Sequence, residues 1–162
     1  MRANEFLTEL RNRVQDYLQQ QFPDWPPYVV NDLLYKNAKG IDSQAELEDW
    51  IAGIKKDYKV KRWELVNDLP ITFKMIAPET RKQLIARGVG TGEIKNPYGV
   101  PKDDERHATQ ANIIQQQGVA PEPIILMKGR NQYYLIEGWH RTIQHFKAYP
   151  QGYKGPAWVG YL

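Results

Sequence analysis

The sequence predicts an α+β protein: a helical N-terminal extension over residues 1–58, then a small mixed sheet with flanking helices over residues 59–162. Three observations predict it. Apolar residues recur at helical spacing through the first third of the chain. From Tyr58 onward the apolar runs become short and are bounded by Gly and Pro. Between Pro123 and Ala148 the order reads strand, tight turn, strand, glycine, helix.

In the extension, Phe6, Leu7, Leu10, Val14 and Leu18 place a helix near 4–20. Pro23, Pro26 and Pro27 stop it, because proline lacks the amide proton that a helix interior needs. A second helix is expected from Tyr28 to Lys39, with Gly40 as its stop. Ser43 and Glu46 have the spacing of a capping box and open a helix near 44–57. Leu47, Trp50, Ile51 and Ile54 give that helix one apolar stripe.

Beyond it, strands are expected over Val60–Val66 and Ile71–Ile76. Pro78 fits the first position of a helix ending near Arg87. Gly88, Gly90, Gly92, Pro97, Gly99 and Pro101 make a long loop, expected to act as a mobile flap. Its Gly-rich start lacks the Gly-Lys-Ser/Thr ending of a P-loop. Asp103 is expected to cap a helix that Gly118 ends. Pro123–Met127 and Gln132–Ile136 read as a hairpin around Gly129-Arg130-Asn131. A helix from Gly138 to about Ala148 and a last strand from Ala157 complete the chain.

Composition excludes several classes. The chain has no cysteine, which removes disulfides, thiolate metal sites and thiol nucleophiles. The charged start MRANEFLTEL is not a secretory signal, and no run approaches the roughly 20 apolar residues of a membrane span. A cytoplasmic protein without a membrane partner is expected, or a viral one in a host cytoplasm. The opening residues resemble those of small proteins of bacterial viruses. The net charge is only +3, but its distribution is uneven. Residues 1–51 carry 5 basic and 9 acidic side chains, and residues 52–102 carry 11 and 5. The densest basic stretch is Lys55, Lys56, Lys59, Lys61 and Arg62, which serves either to neutralise phosphates or to complement a helix C-terminus.

The residues that carry chemistry lie in the turn Gly138-Trp139-His140-Arg141 and the Thr142 that follows. Glycine lets the backbone turn sharply, and the amides of a new helix favour an anion. Arg141 adds a forked donor for phosphate, and His140 a group that moves protons near neutral pH.

The run from Pro121 to Leu162 resembles the ParB/sulfiredoxin superfamily. ParB-type proteins carry a Gly-x-Arg-Arg turn on nucleotide phosphates, and sulfiredoxin carries Gly-Cys-His-Arg at the same place. The resemblance implies a ParB-like fold and a phosphate or nucleotide site at Gly138, Trp139, His140, Arg141 and Thr142. Two departures narrow it. Trp139 stands where sulfiredoxin has its nucleophilic cysteine, so no sulfinic acid reduction is expected. The chain stops at Leu162, soon after its final helix, so the helix-turn-helix module of a partition protein is not expected.

Around the turn, His140, Glu137 and Glu122 are the candidate catalytic groups, since acids beside a nucleotide act as bases or hold metal. Arg106 and His107 either face the phosphate or lie on a solvated helix face. Asp103, Asp104 and Glu105 serve as helix-start acids; the other role for Asp103 and Asp104 is a magnesium site. The expected cofactor is therefore Mg2+ with a nucleotide. The histidines at 107, 140 and 145 do not have zinc spacing. Two functions remain open: an enzyme acting on nucleotides or DNA (nuclease, nucleotide hydrolase or kinase), and a non-catalytic module holding nucleotide or nucleic acid while its N-terminal helices dock a protein partner. A purely structural role, with a vestigial turn, is the third.

Overall fold

The computed structural model describes residues 2–68 and 70–162, without the side chains of Ala3, Asn4 and residues 6–11. The chain divides into two compact units, the first running to Trp63 and the second Glu64–Tyr161.

The first unit is helical. Helix α1 (Ala3–Gln21) ends where Pro23 follows, and the Gln19 side chain closes that end by donating to the carbonyls of Phe22 (3.2 Å) and Trp25 (2.9 Å). The expected apolar positions Phe6, Leu7 and Leu10 lie outside the described side chains. Pro27 starts α2 (Pro27–Val29), which continues into a π-helical segment (Val30–Tyr35) and then α3 (Lys36–Ala38). Val29, Val30, Leu33, Leu34 and Ala38 are buried there together with Leu18, Phe22 and Trp25. Helix α4 (Gln44–Asp57) begins where the Ser43 hydroxyl accepts from the Glu46 amide. Lys55 and Lys56 occupy its last turn, where cations suit the helix dipole.

The second unit is built on a four-stranded mixed sheet in the order β1-β4-β2-β3, of which it holds all but the first two residues of β1. Its strands are β1 (Arg62–Val66), β2 (Ile124–Lys128), β3 (Tyr133–Glu137) and β4 (Ala157–Tyr161). β2 pairs antiparallel with β3 and parallel with β4. This central position explains its unbroken apolar run, Ile124 to Met127, all buried. Helices α5 (Pro78–Ala86), α6 (Asp103–Gln117) and α7 (Trp139–Ala148) flank the sheet. Ile143 and Phe146 of α7 join Ile124, Leu126, Leu135 and Val159 in the core.

The strand expected over 71–76 is not formed. Phe73–Met75 is a 3-10 turn, and only its flanks bridge to other chain segments: Ile71 with Tyr153 and Ile76 with Tyr133. The apolar residues that suggested a strand are buried at two separate points, Ile71 and Ile76, with the turn between them. Nor does Asp103 cap α6. The cap is Lys102, which holds a left-handed conformation (φ 54°) and leaves Asp103 as the first helical residue. Such a conformation is uncommon for a residue with a Cβ.

Candidate functional site

The site lies where the starts of α6 and α7 meet. On α6, Asp103 and His107 are four residues apart and share one face. On α7, His140 and Gln144 have the same spacing. The two pairs face each other. Asp103 Oδ1 lies 2.8 Å from His140 Nε2, and Gln144 Nε2 lies 2.9 Å from His107 Nδ1. Arg87, just past the end of α5, reaches in with one guanidinium nitrogen 3.3 Å from both Asp103 Oδ1 and His140 Nε2. The two imidazoles meet edge to face at 4.7 Å.

A carboxylate only accepts and a guanidinium only donates. The shorter contact therefore decides the tautomer: His140 donates Nε2–H to Asp103, and Arg87 donates to Asp103 as well. Nδ1 of His140 is then the ring nitrogen with the lone pair. His107 Nε2 points toward Asp103 Oδ2 at 3.4 Å, yet neither atom makes a hydrogen bond, and both are buried. Leaving such atoms unpartnered costs about 1–3 kcal/mol each.

Burial is the largest influence on His140, His107 and Arg87. It lowers the pKa of His140 below the usual imidazole value against the opposing hydrogen bond to Asp103, with His107 and Arg87 nearby adding to the fall. It lowers His107 likewise, with Asp103 opposing and Arg87 assisting. It also pulls down Arg87, which Asp103 partly restores. Both imidazoles are thus neutral at pH 7.

Gly138 sets the start of α7. It caps the helix in a left-handed conformation (φ 92°), and a Cβ there would meet Ile124 Cγ2 at 2.7 Å. Thr142, expected among the phosphate ligands, turns both its amide (3.0 Å) and its hydroxyl (2.9 Å) to the Gly138 carbonyl, so it serves the helix instead. Arg141 is buried and ties α7 to the start of β2 by donating to the Pro123 carbonyl (2.8 Å), with Glu122 3.7 Å away. Its guanidinium is engaged in packing, and Arg87 supplies the guanidinium beside His140. Trp139 packs on the core with the Arg87 guanidinium 5.6 Å from its ring.

Of the other expected residues, Glu122 is 71% exposed, and Glu137 pairs in β3 opposite Ile125. Arg106 and Asp104 are exposed on α6, away from the buried face that holds Asp103 and His107. The structure thus brings Asp103, His107 and His140 together and separates Asp104 from them. Sequence reasoning missed Arg87 and Gln144. The i, i+4 spacing of Asp103 and His107 was the available signal for their pairing.

The third histidine is structural. His145 Nε2 accepts from the Ala120 amide (3.2 Å) and Nδ1–H donates to the Arg141 carbonyl (2.7 Å), so the ring is held neutral. Burial lowers its pKa despite that second bond. An unfolded imidazole takes up its proton near pH 6.5, and this one only at lower pH. The unfolded state therefore binds more protons between the two values, and stability rises with pH there. Its contribution is complete above about pH 6.5 and lost below it, at up to about 1.4 kcal/mol per pH unit per proton. Urea titrations between pH 8 and pH 5 should show this fall, to which His107 and His140 add in the same direction, and His145→Gln should make it shallower without abolishing it.

Among the hollows elsewhere, two are the most spacious described. One of about 580 Å³ is walled by Phe73, the Gly88–Ile94 loop and Ile143, Phe146 and Lys147 of α7; its lining includes none of Arg87, Asp103, His107 or His140. The loop, expected to be a flap, holds its own shape: the Thr91 hydroxyl sits between the carbonyls of Gly88 (2.8 Å) and Glu93 (2.9 Å). The other, of about 620 Å³, is in the first unit, where Lys55, Lys59, Lys61 and Arg62 surround Phe22, Trp25, Tyr58 and Trp63.

No helix among the described residues is long and apolar enough to cross a membrane. No protein-family model matches the chain, and no curated protein or solved structure matches it either.

Proposed function

We propose that this protein is a ParB/sulfiredoxin-like domain that holds a phosphate group of a nucleotide or nucleic acid at the head of α7 and acts on its ester bond, as a nuclease or nucleotide hydrolase does. One observation carries the reading: a buried guanidinium, Arg87, and a neutral imidazole, His140, converge at the first turn of a helix that follows a left-handed glycine. The amides of that first turn have no partners within the helix and favour an anion. Arg87 offers charge and parallel donors to phosphate oxygens. Asp103 fixes His140 through Nε2–H, leaving Nδ1 to accept a proton from the attacking water or hydroxyl. The strand–glycine–helix order and the mixed sheet support the family resemblance.

The experiment is calorimetric titration with nucleoside di- and triphosphates, with and without Mg2+. Arg87→Ala should weaken binding at least about tenfold, the equivalent of about 1.4 kcal/mol. A folded Arg87→Ala protein that binds as tightly as the parent sinks the reading.

A second reading, a non-catalytic nucleic-acid-binding module, is favoured by the basic, aromatic hollow of the first unit, since cations with stacking rings suit single strands. Salt-dependent oligonucleotide binding that is lost in Lys59→Glu and kept in Arg87→Ala would select it.

A further inference from the structure

We infer that Asp103, His107 and His140 form a binding site for one divalent transition-metal ion of the zinc or cobalt kind. This deepens the phosphate reading by giving the same site its electrophile, but it is measured independently of it. Three potential ligand atoms, one from each residue, lie within 4.8 Å of one another. Asp103 Oδ2 and His107 Nε2 are buried, 3.4 Å apart and without hydrogen bonds. That spacing suits two ligands bound about 2.0–2.2 Å from one ion. An ion between them would engage both atoms, which no donor or acceptor among the described residues does.

The donor set decides the class of metal. Two imidazoles and one carboxylate suit zinc and its first-row neighbours, whereas Mg2+ takes oxygen ligands and keeps its waters. Three protein ligands leave at least one position for water or a phosphate oxygen. The carboxylate divides its duties: Oδ1 faces Arg87, and Oδ2 faces the ion. Binding requires lone pairs on both Nε2 atoms, so each ring proton moves to Nδ1. For His107, a half-turn of the Gln144 amide presents its oxygen to that Nδ1–H, the outer-shell hydrogen bond that orients metal-bound imidazoles. For His140, Nδ1–H becomes a donor to a phosphate oxygen. The metal then takes over activation of the attacking water, because a bound zinc ion lowers its pKa to about 7.

The chain simplifies the assignment. It has no cysteine and only three histidines, and both ring nitrogens of His145 are already bonded within the core. A stoichiometric imidazole–metal signal can therefore come only from His107 and His140.

The test starts from full-length protein stripped with a chelator, titrated with Zn2+ by calorimetry and with Co2+ by visible absorption. One equivalent of Zn2+ should bind, Co2+ should give ligand-field bands that Zn2+ abolishes, and Mg2+ should not compete. His140→Phe should lower Zn2+ affinity at least tenfold; its side chain is the most exposed of the three, at 15%, so the variant should fold. His107→Gln provides a second variant. Arg87→Ala, which removes a neighbouring cation, should bind Zn2+ at least as tightly as the parent, opposite to its expected effect on nucleotides. The inference is overturned if stripped parent protein binds neither ion stoichiometrically, or if folded His140→Phe and His107→Gln bind as the parent does. Zn2+ bound without any affinity for phosphate ligands would support the metal site and sink the phosphate reading. Phosphate binding by a protein that takes no Zn2+ or Co2+ would do the reverse.

Discussion

Asp103→Ala is expected to destabilise the protein by about 3–5 kcal/mol, the usual cost of removing one partner from a buried charge pair. The Asp103 side chain is 4% exposed and is the one acid among Arg87, His107 and His140. Without it the Arg87 guanidinium stays buried with no carboxylate, and His140 loses its acceptor. A single domain is stable by only about 5–15 kcal/mol, so this is a large fraction of the total. Urea denaturation gives the comparison directly. Asp104→Ala, exposed one residue along the same helix, should change stability by no more than about 0.5 kcal/mol. Equal effects at the two positions would mean that the network does not hold α6 to α7. The paired change Arg87→Met with Asp103→Leu should recover much of the loss, because a well-packed apolar pair replaces a buried ion pair at little cost.

Gly138→Ala should be nearly as severe, at roughly 2–5 kcal/mol. A left-handed conformation costs a residue with a Cβ about 1–2 kcal/mol, and overpacking adds about 1–3 kcal/mol. The added methyl would meet Ile124 Cγ2 at 2.7 Å at the start of β2, with the Ile124 Cβ and Cα close behind it at 3.1 and 3.3 Å rather than the far end of a flexible side chain. Gly129→Ala, whose Cβ finds only Tyr134 at 3.7 Å, is the control and should be mild. Ile124→Ala in the Gly138→Ala background should remove the 2.7 Å contact, leaving the Cβ and Cα of residue 124 at 3.1 and 3.3 Å together with the backbone strain. A double-mutant cycle therefore measures the share of the cost that falls on the Ile124 methyl. If Gly138→Ala melts with the parent, the entry into α7 does not depend on this turn.

Much of the architecture could be read from the sequence because its signals are local. Ser43, Pro78, Gly118 and Gly138 each act through their own backbone or a neighbouring turn, and all four mark ends that the helices respect. The 71–76 segment misled because burial of Ile71 and Ile76 looks the same in sequence whether the residues between them pair or turn. The site was partly legible. His140 follows from the glycine at the helix start, and Asp103 with His107 from helical spacing. Asp103 was instead read as a cap, since an acid at a helix start serves that purpose without any tertiary partner. Arg87 gave no signal at all. It lies 16 residues before Asp103 and 53 before His140, and only the folded chain brings the three together.

The π-helical segment Val30–Tyr35 bears on how the first unit tolerates insertions and deletions. Such a segment widens each turn by one residue relative to an α-helix, so it holds more chain than the same length of regular helix. Each residue in an α-helix advances the side-chain direction by about 100°. The wide turn absorbs one extra residue, so shortening the segment by one would let the helix run on as a regular α-helix with the residues beyond the cut close to their present directions, and Ala38 would keep its place on the core. The same cut inside the regular helix α4 would turn every later side chain of that helix by that angle. A one-residue gap is therefore tolerated in Val30–Tyr35 where it is not in its regular neighbour.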